Sequence, residues 1–325
     1  MLRRKLALSV LSFSLLMGSA AAMAKTVFIA SDVHPADYPT TAAVIHMGEK
    51  LSQQTDGRLS IRMFPSGQMG DESTTLEKTR AGAIDILRVS MAPVGGILPQ
   101  VSVFNMPFVF RDTDHQHKVL DGDVGSKLAK EISDSNLGLV FLGWMDAGSR
   151  SLITKKPITT LDDLKGVKIR LQNNPIGLDT FKALGANPIV LPVGDVFASL
   201  QTGVIDAAEN NEPTFDTENY VVAGTKYFDL TEHFMIPEVL AFSKRKWSKL
   251  SAEDQALIMK LAKEAQAEER VLWAEYVEKS KQRLQSQGVK FLPVDKKPFV
   301  DATAPVREKY GKQFSDLMQE IQDTK

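Results

Sequence analysis

The 325-residue chain sets 39 Lys and Arg against 40 Asp and Glu, a formal charge of −1, and contains no cysteine. The absence of cysteine excludes disulfide frameworks, thiolate catalysis and cysteine metal sites, and the balanced charge supplies no broad basic field for nucleic acid or a membrane surface. Stability then has to come from buried apolar surface, and a chain of this length supplies one large core or two moderate ones.

Arg3, Arg4 and Lys5 open the chain, residues 6–17 are apolar with a few serines, and Ala22-Met23-Ala24 is a small-x-small cleavage pattern. These predict a signal peptide over residues 1–24, with the mature chain starting at Lys25 and exported. The apolar stretch is shorter than the roughly 20 residues that span a bilayer. Loss of three basic residues takes the charge from −1 to −4.

From Lys25 to Gln201 strand and helix signals alternate. A β-rich run over 25–30 precedes an Asp/Pro loop, a helical pattern over 40–55 that stops at Asp56-Gly57, and an alternating strand over 59–64 ended by Pro65-Ser66-Gly67. A helix over 71–81 and a strand over 84–89 follow. The same order returns with strands over 139–142, 167–172 and 187–191 and helices over 175–184 and 195–201. Strand and helix in alternation predict α/β layers with parallel pairing and crossover helices. Thr79 to Asp85 and Leu200 to Asp206 echo each other 121 residues apart, each a helix end, a capping Gly (Gly82, Gly203) and a strand entry, which suits two lobes of similar build. Ser251, with Asp254 three residues on, reads as a helix start, and helical periodicity runs to about Gln287 before Gly288.

No nucleophile elbow, P-loop, dinucleotide fingerprint or His-Glu-x-x-His motif is present. His115 and His117 stand two apart, a spacing that points imidazoles away from each other on a helix, so they read as a solvated helix start rather than a metal pair. Arg88 follows an apolar strand run, where a buried cation is costly unless matched. It is therefore exposed, paired with an acid such as Glu72, or ligand-facing. His34 and Gln172 are polar groups at strand ends, where ligands of α/β sheets usually sit.

Six segments carry a resemblance: Asp32-Val33-His34-Pro35-Ala36-Asp37-Tyr38-Pro39-Thr40; Phe64 to Glu72; Gly82-Ala83-Ile84-Asp85 with Arg88-Val89-Ser90; Asn105 to Asp112; Leu161 to Arg170; and Thr202 to Asn211. In this order they resemble the solute-binding subunit of tripartite ATP-independent periplasmic (TRAP) transporters of the dicarboxylate-transport (DctP-like) family, over nearly all of the mature chain. The His-Pro-x-x-Tyr-Pro-Thr and Glu-Asn-Asn segments are similar to the sugar-acid branch, which takes hexuronates such as glucuronate and galacturonate.

The resemblance implies an α/β, two-lobe periplasmic binding protein fold (type II-like) with central mixed β-sheets, crossing strands and a long C-terminal bracing helix. Its expected divisions are residues 25–147 plus about 234–250 for lobe I, 148–233 for lobe II, 251–287 for the long helix and 288–325 for a C-terminal segment. It implies a ligand-binding protein rather than an enzyme, without cofactor, metal or nucleic acid, acting as a monomer. The ligand passes to a small and a large membrane subunit for ion-gradient-driven uptake. Other readings are an aldonate, C4-dicarboxylate or keto acid as ligand, a sensor that hands its closed form to a receptor, and a periplasmic sugar-acid enzyme using carboxylates such as Glu72 and Glu209.

The resemblance places Arg170 on the ligand carboxylate, where a guanidinium offers a planar fork of donors. Arg150 matches a second arginine near the cleft, and Asn210 the amide for sugar hydroxyls, with Asn211 adding another. Arg88, His34, Glu72 and Gln172 complete the expected ligand set. Glu209 reads as an orienter of an arginine, and Glu238 as a minor candidate. Glu212 stands where the hexuronate branch often has an aromatic residue, and Gln172-Asn173-Asn174 is unusually rich in amides.

Overall fold

The computed structural model describes residues 25–325, so the expected signal peptide over 1–24 lies outside the described residues. Two sheets organise the chain. The first has the order β2 (Leu59–Phe64), β1 (Thr26–Ser31), β3 (Ile86–Ser90), β10 (Glu238–Ser243), β4 (Leu139–Met145). The second has the order β11 (Lys290–Pro293), β9 (Tyr227–Phe234), β5 (Arg150–Thr154), β8 (Ala207–Asn210), β6 (Lys168–Leu171), β7 (Asn187–Val190).

The strand–helix alternation produces the parallel pairs β1–β2, β1–β3, β6–β7 and β6–β8. Both sheets are mixed, however. β10 runs antiparallel to β3 and β4, and β5 antiparallel to β8 and β9. The antiparallel strands arise where the chain changes lobe: it leaves the first sheet at Met145, enters the second at Arg150, and returns from Phe234 to Glu238. Gly148 lies in the first crossing at φ +60°, and a Cβ there would meet the Trp273 ring at 3.1 Å, so both conformation and space call for glycine.

The helices that position the site are α1 (Pro39–Gln54), α2 (Glu72–Ala81), α3 (Glu212–Thr217) and α4 (Ala252–Ser286). α2 and the short helix Val196–Thr202 both end on left-handed glycines, Gly82 at φ 82° and Gly203 at φ 75°, as the internal echo predicts. Ser251 caps α4 by accepting from the Asp254 N–H at 3.1 Å. The Asp254 carboxylate does not close the reciprocal box; it pairs with Arg58 instead.

α4 is the brace between the lobes. Ile258, Leu261, Ala262 and Ala265 pack with α1 and the first sheet, while Leu284, near its other end, packs with Ile153, Phe215 and Phe228 beside the second. The segment after it returns over both lobes. β11 extends the second sheet, the helix Ala304–Gly311 packs on Pro175–Ala183, and Ser315–Asp323 packs on Asp123–Asp134 of the first lobe. His115 and His117 are not a solvated helix start: His115 is buried with Nε2 2.8 Å from the Ile321 carbonyl oxygen, and His117 binds Asp146. Tertiary packing recruits both rings, which helix spacing alone does not reveal.

Leu261 is fully buried at the junction of α4, α1 and the first sheet. Leu261→Ala is expected to lose about 2–5 kcal/mol of stability, read as a lower denaturant midpoint for the first lobe.

Candidate functional site

A cavity of about 640 Å³ lies between the lobes, at the C-terminal ends of the parallel strands. His34, Glu72 and Glu238 face it from the first lobe, and Arg150, Arg170, Gln172, Asn210 and Asn211 from the second. Seven of the eight expected ligand residues therefore line one space, the exception being Arg88. The three arginines differ in how their charge is met.

Arg88, on β3, is 2% exposed and stands behind the wall. Its Nε donates to Asp32 at 3.0 Å, its Nη1 to Glu72 at 2.7 Å and to Glu238 at 2.9 Å, and its Nη2 to Asp32. It pairs with Glu72 and does not face the ligand space, which corrects its ligand-facing reading: three carboxylates already take its donors.

Arg150 opens β5 opposite β8, and this antiparallel pairing brings Glu209 alongside. Nε and Nη2 hold the Glu209 carboxylate at 2.6 and 2.8 Å, Nη2 also donates to the Glu209 carbonyl oxygen, and Nη1 donates to Asn210 Oδ1 at 2.9 Å. Burial raises the Glu209 pKa, but Arg150 overrides this and brings it down to about 2. Glu209 thus orients Arg150, whose charge is matched within the protein. One Nη1–H remains for the cavity.

Arg170, on β6, is 3% exposed, and its one hydrogen bond among the described residues runs from Nε to the Leu191 carbonyl oxygen at 2.8 Å. No carboxylate of the described residues lies within ion-pair distance of it. Burial pushes its pKa below the ordinary arginine value, and the more distant Tyr220 and Glu209 offset this only in part. Glu218, on the cavity wall, is itself pushed up by burial. Both Arg170 terminal nitrogens are therefore open to an anion.

Neutral groups surround this charge. Asn210 spends Oδ1 on Arg150 and on the Asn211 N–H, leaving its NH2 group without a protein partner among the described residues. Asn211 lines the cavity, but both ends of its amide are engaged: Oδ1 caps α3 through the Thr214 N–H at 2.8 Å, and Nδ2 donates to the Ala147 carbonyl oxygen. Its Oδ1 serves cap chemistry, and one Nδ2–H remains for the cavity. Gln172 Oε1 reaches only Ser90 Oγ, at 3.5 Å. His34 stacks on Tyr38 at 3.9 Å between centroids, and burial, with Arg88 adding to it, takes its pKa down to about 3, so the ring is neutral. Sequence reasoning gives no role to Tyr38, Asp32 or Glu218. Tyr38 sits within the His-Pro-x-x-Tyr segment, but its role depends on contacts with Thr214 and Asn211 across the cleft.

The model for "Bacterial extracellular solute-binding protein, family 7" (DctP) matches residues 30–313. A TRAP periplasmic solute-binding protein of Pseudomonas putida F1, solved with bound D-glucuronate, is 48% identical with a TM-score of 0.90, covering 92% of this chain and 97% of that one. A Citrobacter koseri TRAP protein with bound D-glucuronate is 50% identical (92% and 100% covered) with a TM-score of 0.90, while its apo, open form scores 0.81 at 49% identity (91% and 98%). The lobes described here thus lie nearer the ligand-bound arrangement. A Bradyrhizobium protein in complex with D-galacturonate is 41% identical with a TM-score of 0.88, over 92% of this chain and all of that one. With the two-lobe fold, the bracing helix and a cleft that holds an unmatched arginine, the chain belongs to the DctP family, the solute-binding proteins of TRAP transporters.

Proposed function

We propose that the protein captures a hexuronate, D-glucuronate or D-galacturonate, in the cleft and delivers it to the small and large membrane subunits of a TRAP transporter. The observation that carries this reading is Arg170: a buried guanidinium without an anionic partner among the described residues, on the wall of a cavity lined by neutral hydrogen-bonding groups. An isolated buried charge is costly, and a ligand carboxylate that accepts its two terminal nitrogens removes that cost. The free Nη1–H of Arg150, the Asn210 NH2 group, Gln172, Glu72 and the neutral His34 ring then serve hydroxyls, as a sugar acid requires. Related proteins with bound glucuronate and galacturonate support the same ligand class.

Binding without turnover fits the carboxylates. Glu209 is held ionised by Arg150, and Glu72 and Glu238 both bond Arg88 Nη1, so the two stand side by side on one wall of the cavity and do not flank a reacting bond. Among the described residues no helix is long and apolar enough to cross a membrane. Export by the N-terminal signal and action in the periplasm complete the proposal.

A thermal-shift panel tests the ligand class, because a ligand that binds only the folded state raises the melting temperature. Glucuronate or galacturonate is expected to raise it, and C4-dicarboxylates and neutral sugars to leave it in place. A shift with C4-dicarboxylates alone overturns the sugar-acid assignment, and recovery of chemically altered hexuronate overturns binding without turnover.

Two substitutions separate the arginines. Arg170→Met is expected to weaken hexuronate binding by about 2–5 kcal/mol, roughly 30-fold or more, without lowering the melting temperature of the ligand-free protein. Arg150→Met strands the buried Glu209 carboxylate and is expected to cost about 3–5 kcal/mol of stability before any ligand is added, read by chemical denaturation.

A further inference from the structure

Three carboxylates converge on one positive charge beneath the cavity floor. Asp32 follows β1, Glu72 opens α2 and Glu238 opens β10, and all three accept from Arg88. Their side chains are at most 15% exposed. His34, beside them, is neutral, and Arg150, the next cation, is already matched by Glu209. With every carboxyl ionised the cluster would carry two uncompensated negative charges in a nearly dry place, which a bound proton relieves.

Hydrogen bonding identifies the group that carries the proton. Asp32 is fully served as an anion: besides Arg88 it accepts from the His34 N–H and the Thr40 hydroxyl, both at 3.0 Å. Glu72 accepts from the Ser90 N–H at 3.1 Å and occupies the first turn of α2, where the helix dipole favours negative charge. Glu238 has only Arg88, on Oε1, and its Oε2 is buried without a partner. Glu238 also lines the cavity, and a proton on Oε2 would be a donor that no group of the described residues accepts.

We propose that Glu238 takes part in recognition as a neutral carboxylic acid, donating a hydrogen bond from Oε2 to a ligand hydroxyl, so that capture takes up a proton at alkaline pH. This rests on the hexuronate reading above. The groups that face Glu238 are Arg88 on β3, Glu72 on α2, Asp32 after β1, Arg150 on β5, Tyr38 before α1 and Glu269 on α4. Burial raises the Glu238 pKa to about 8, Arg88 opposing it and Glu72 and Asp32 adding to it. In the free protein Glu238 is neutral below that pH and ionised above it. A hydroxyl that accepts from Oε2–H raises its pKa further, so affinity is level at neutral pH and falls as pH rises. Glu269 is also pushed up by burial, but it does not line the cavity.

Titration calorimetry with D-glucuronate, from pH 6.5 to 9.5 in two buffers of different ionisation enthalpy, counts the protons. The parent is expected to take up almost none at pH 6.5 and close to one at pH 9, with affinity about tenfold weaker at pH 9 than at pH 7 because only the neutral fraction is competent. Glu238→Gln, a permanent neutral donor, is expected to show no proton uptake and a flat profile, and so to bind more tightly than the parent at pH 9. Parent affinity that is constant across this range without proton uptake overturns the proposal, as does a Gln variant that keeps the parent's uptake. If that variant does not fold, the parent's proton count decides alone. If glucuronate binds at no pH, the hexuronate reading fails first, and the proton count is then made with whichever acid of the panel binds.

Discussion

The buried guanidinium of Arg170 is the constraint on which the cleft depends. Among the described residues three arginines lie at 4% exposure or less, and the protein treats each differently. Arg88 has three carboxylates, Arg150 has one held by two parallel hydrogen bonds, and Arg170 has a single carbonyl oxygen. The strands beneath the cleft therefore pass from excess negative charge, through balance, to excess positive charge. A ligand that carries its carboxylate at one end and hydroxyls along the rest matches that gradient. Leaving Arg170 unmatched costs stability in the free protein, and the fold offsets it through the apolar brace of α4 and the saturated pair of Arg150 and Glu209.

Closure depends on weak links between the lobes. Across the cleft the Tyr38 hydroxyl lies 3.1 Å from Thr214 Oγ1 and 3.4 Å from Asn211 Oδ1, and Ser90 Oγ lies 3.5 Å from Gln172 Oε1. These are neutral and mostly long, each worth about 1 kcal/mol net at best. Such links hold the lobes in register without locking them. A ligand shifts the balance only by what it gains in the closed state beyond the open one. A carboxylate on Arg170 of the second lobe, with hydroxyls on His34, Glu72 and Glu238 of the first, supplies that difference because each lobe holds half of the partners.

Much of this architecture was legible from local pattern. Strands β1 to β4, β6 and β7, helices α1 and α2, the two glycine caps and the Ser251 start of α4 follow from periodicity and capping chemistry that act over a few residues. β5, β8 and β10 were not legible. Arg150, Glu209, Asn210 and Glu238 occupy strand positions buried on both faces, so polar residues interrupt the apolar run that would mark a strand. Arg170, Arg150 and Asn210 came from the resemblance, Arg88, His34 and Gln172 from their places at strands, and the reading of Arg88 narrowed once its partners were visible. Arg88 meets residues 56 and 150 positions away, a matching that no window around it contains. Asn211 sits in a segment that suits both a helix cap and a ligand contact, and only the position of the Thr214 N–H shows that its Oδ1 serves the cap.

The same charge count bears on selectivity. Arg170 is the cavity's uncompensated cation among the described residues, since Glu209 cancels Arg150, and Asp32 and Glu72 more than cancel Arg88 even with Glu238 neutral. A dicarboxylate that placed one end on Arg170 would bring its other charge toward the opposite wall, where the like charge of Glu72 and burial both oppose it. A monocarboxylate with hydroxyls places donors there instead, and Glu72 is an acceptor for them. Discrimination against dianions thus comes from the partner the site withholds as much as from the contacts it offers. It requires no steric exclusion, which a cavity of about 640 Å³ would provide poorly for small acids.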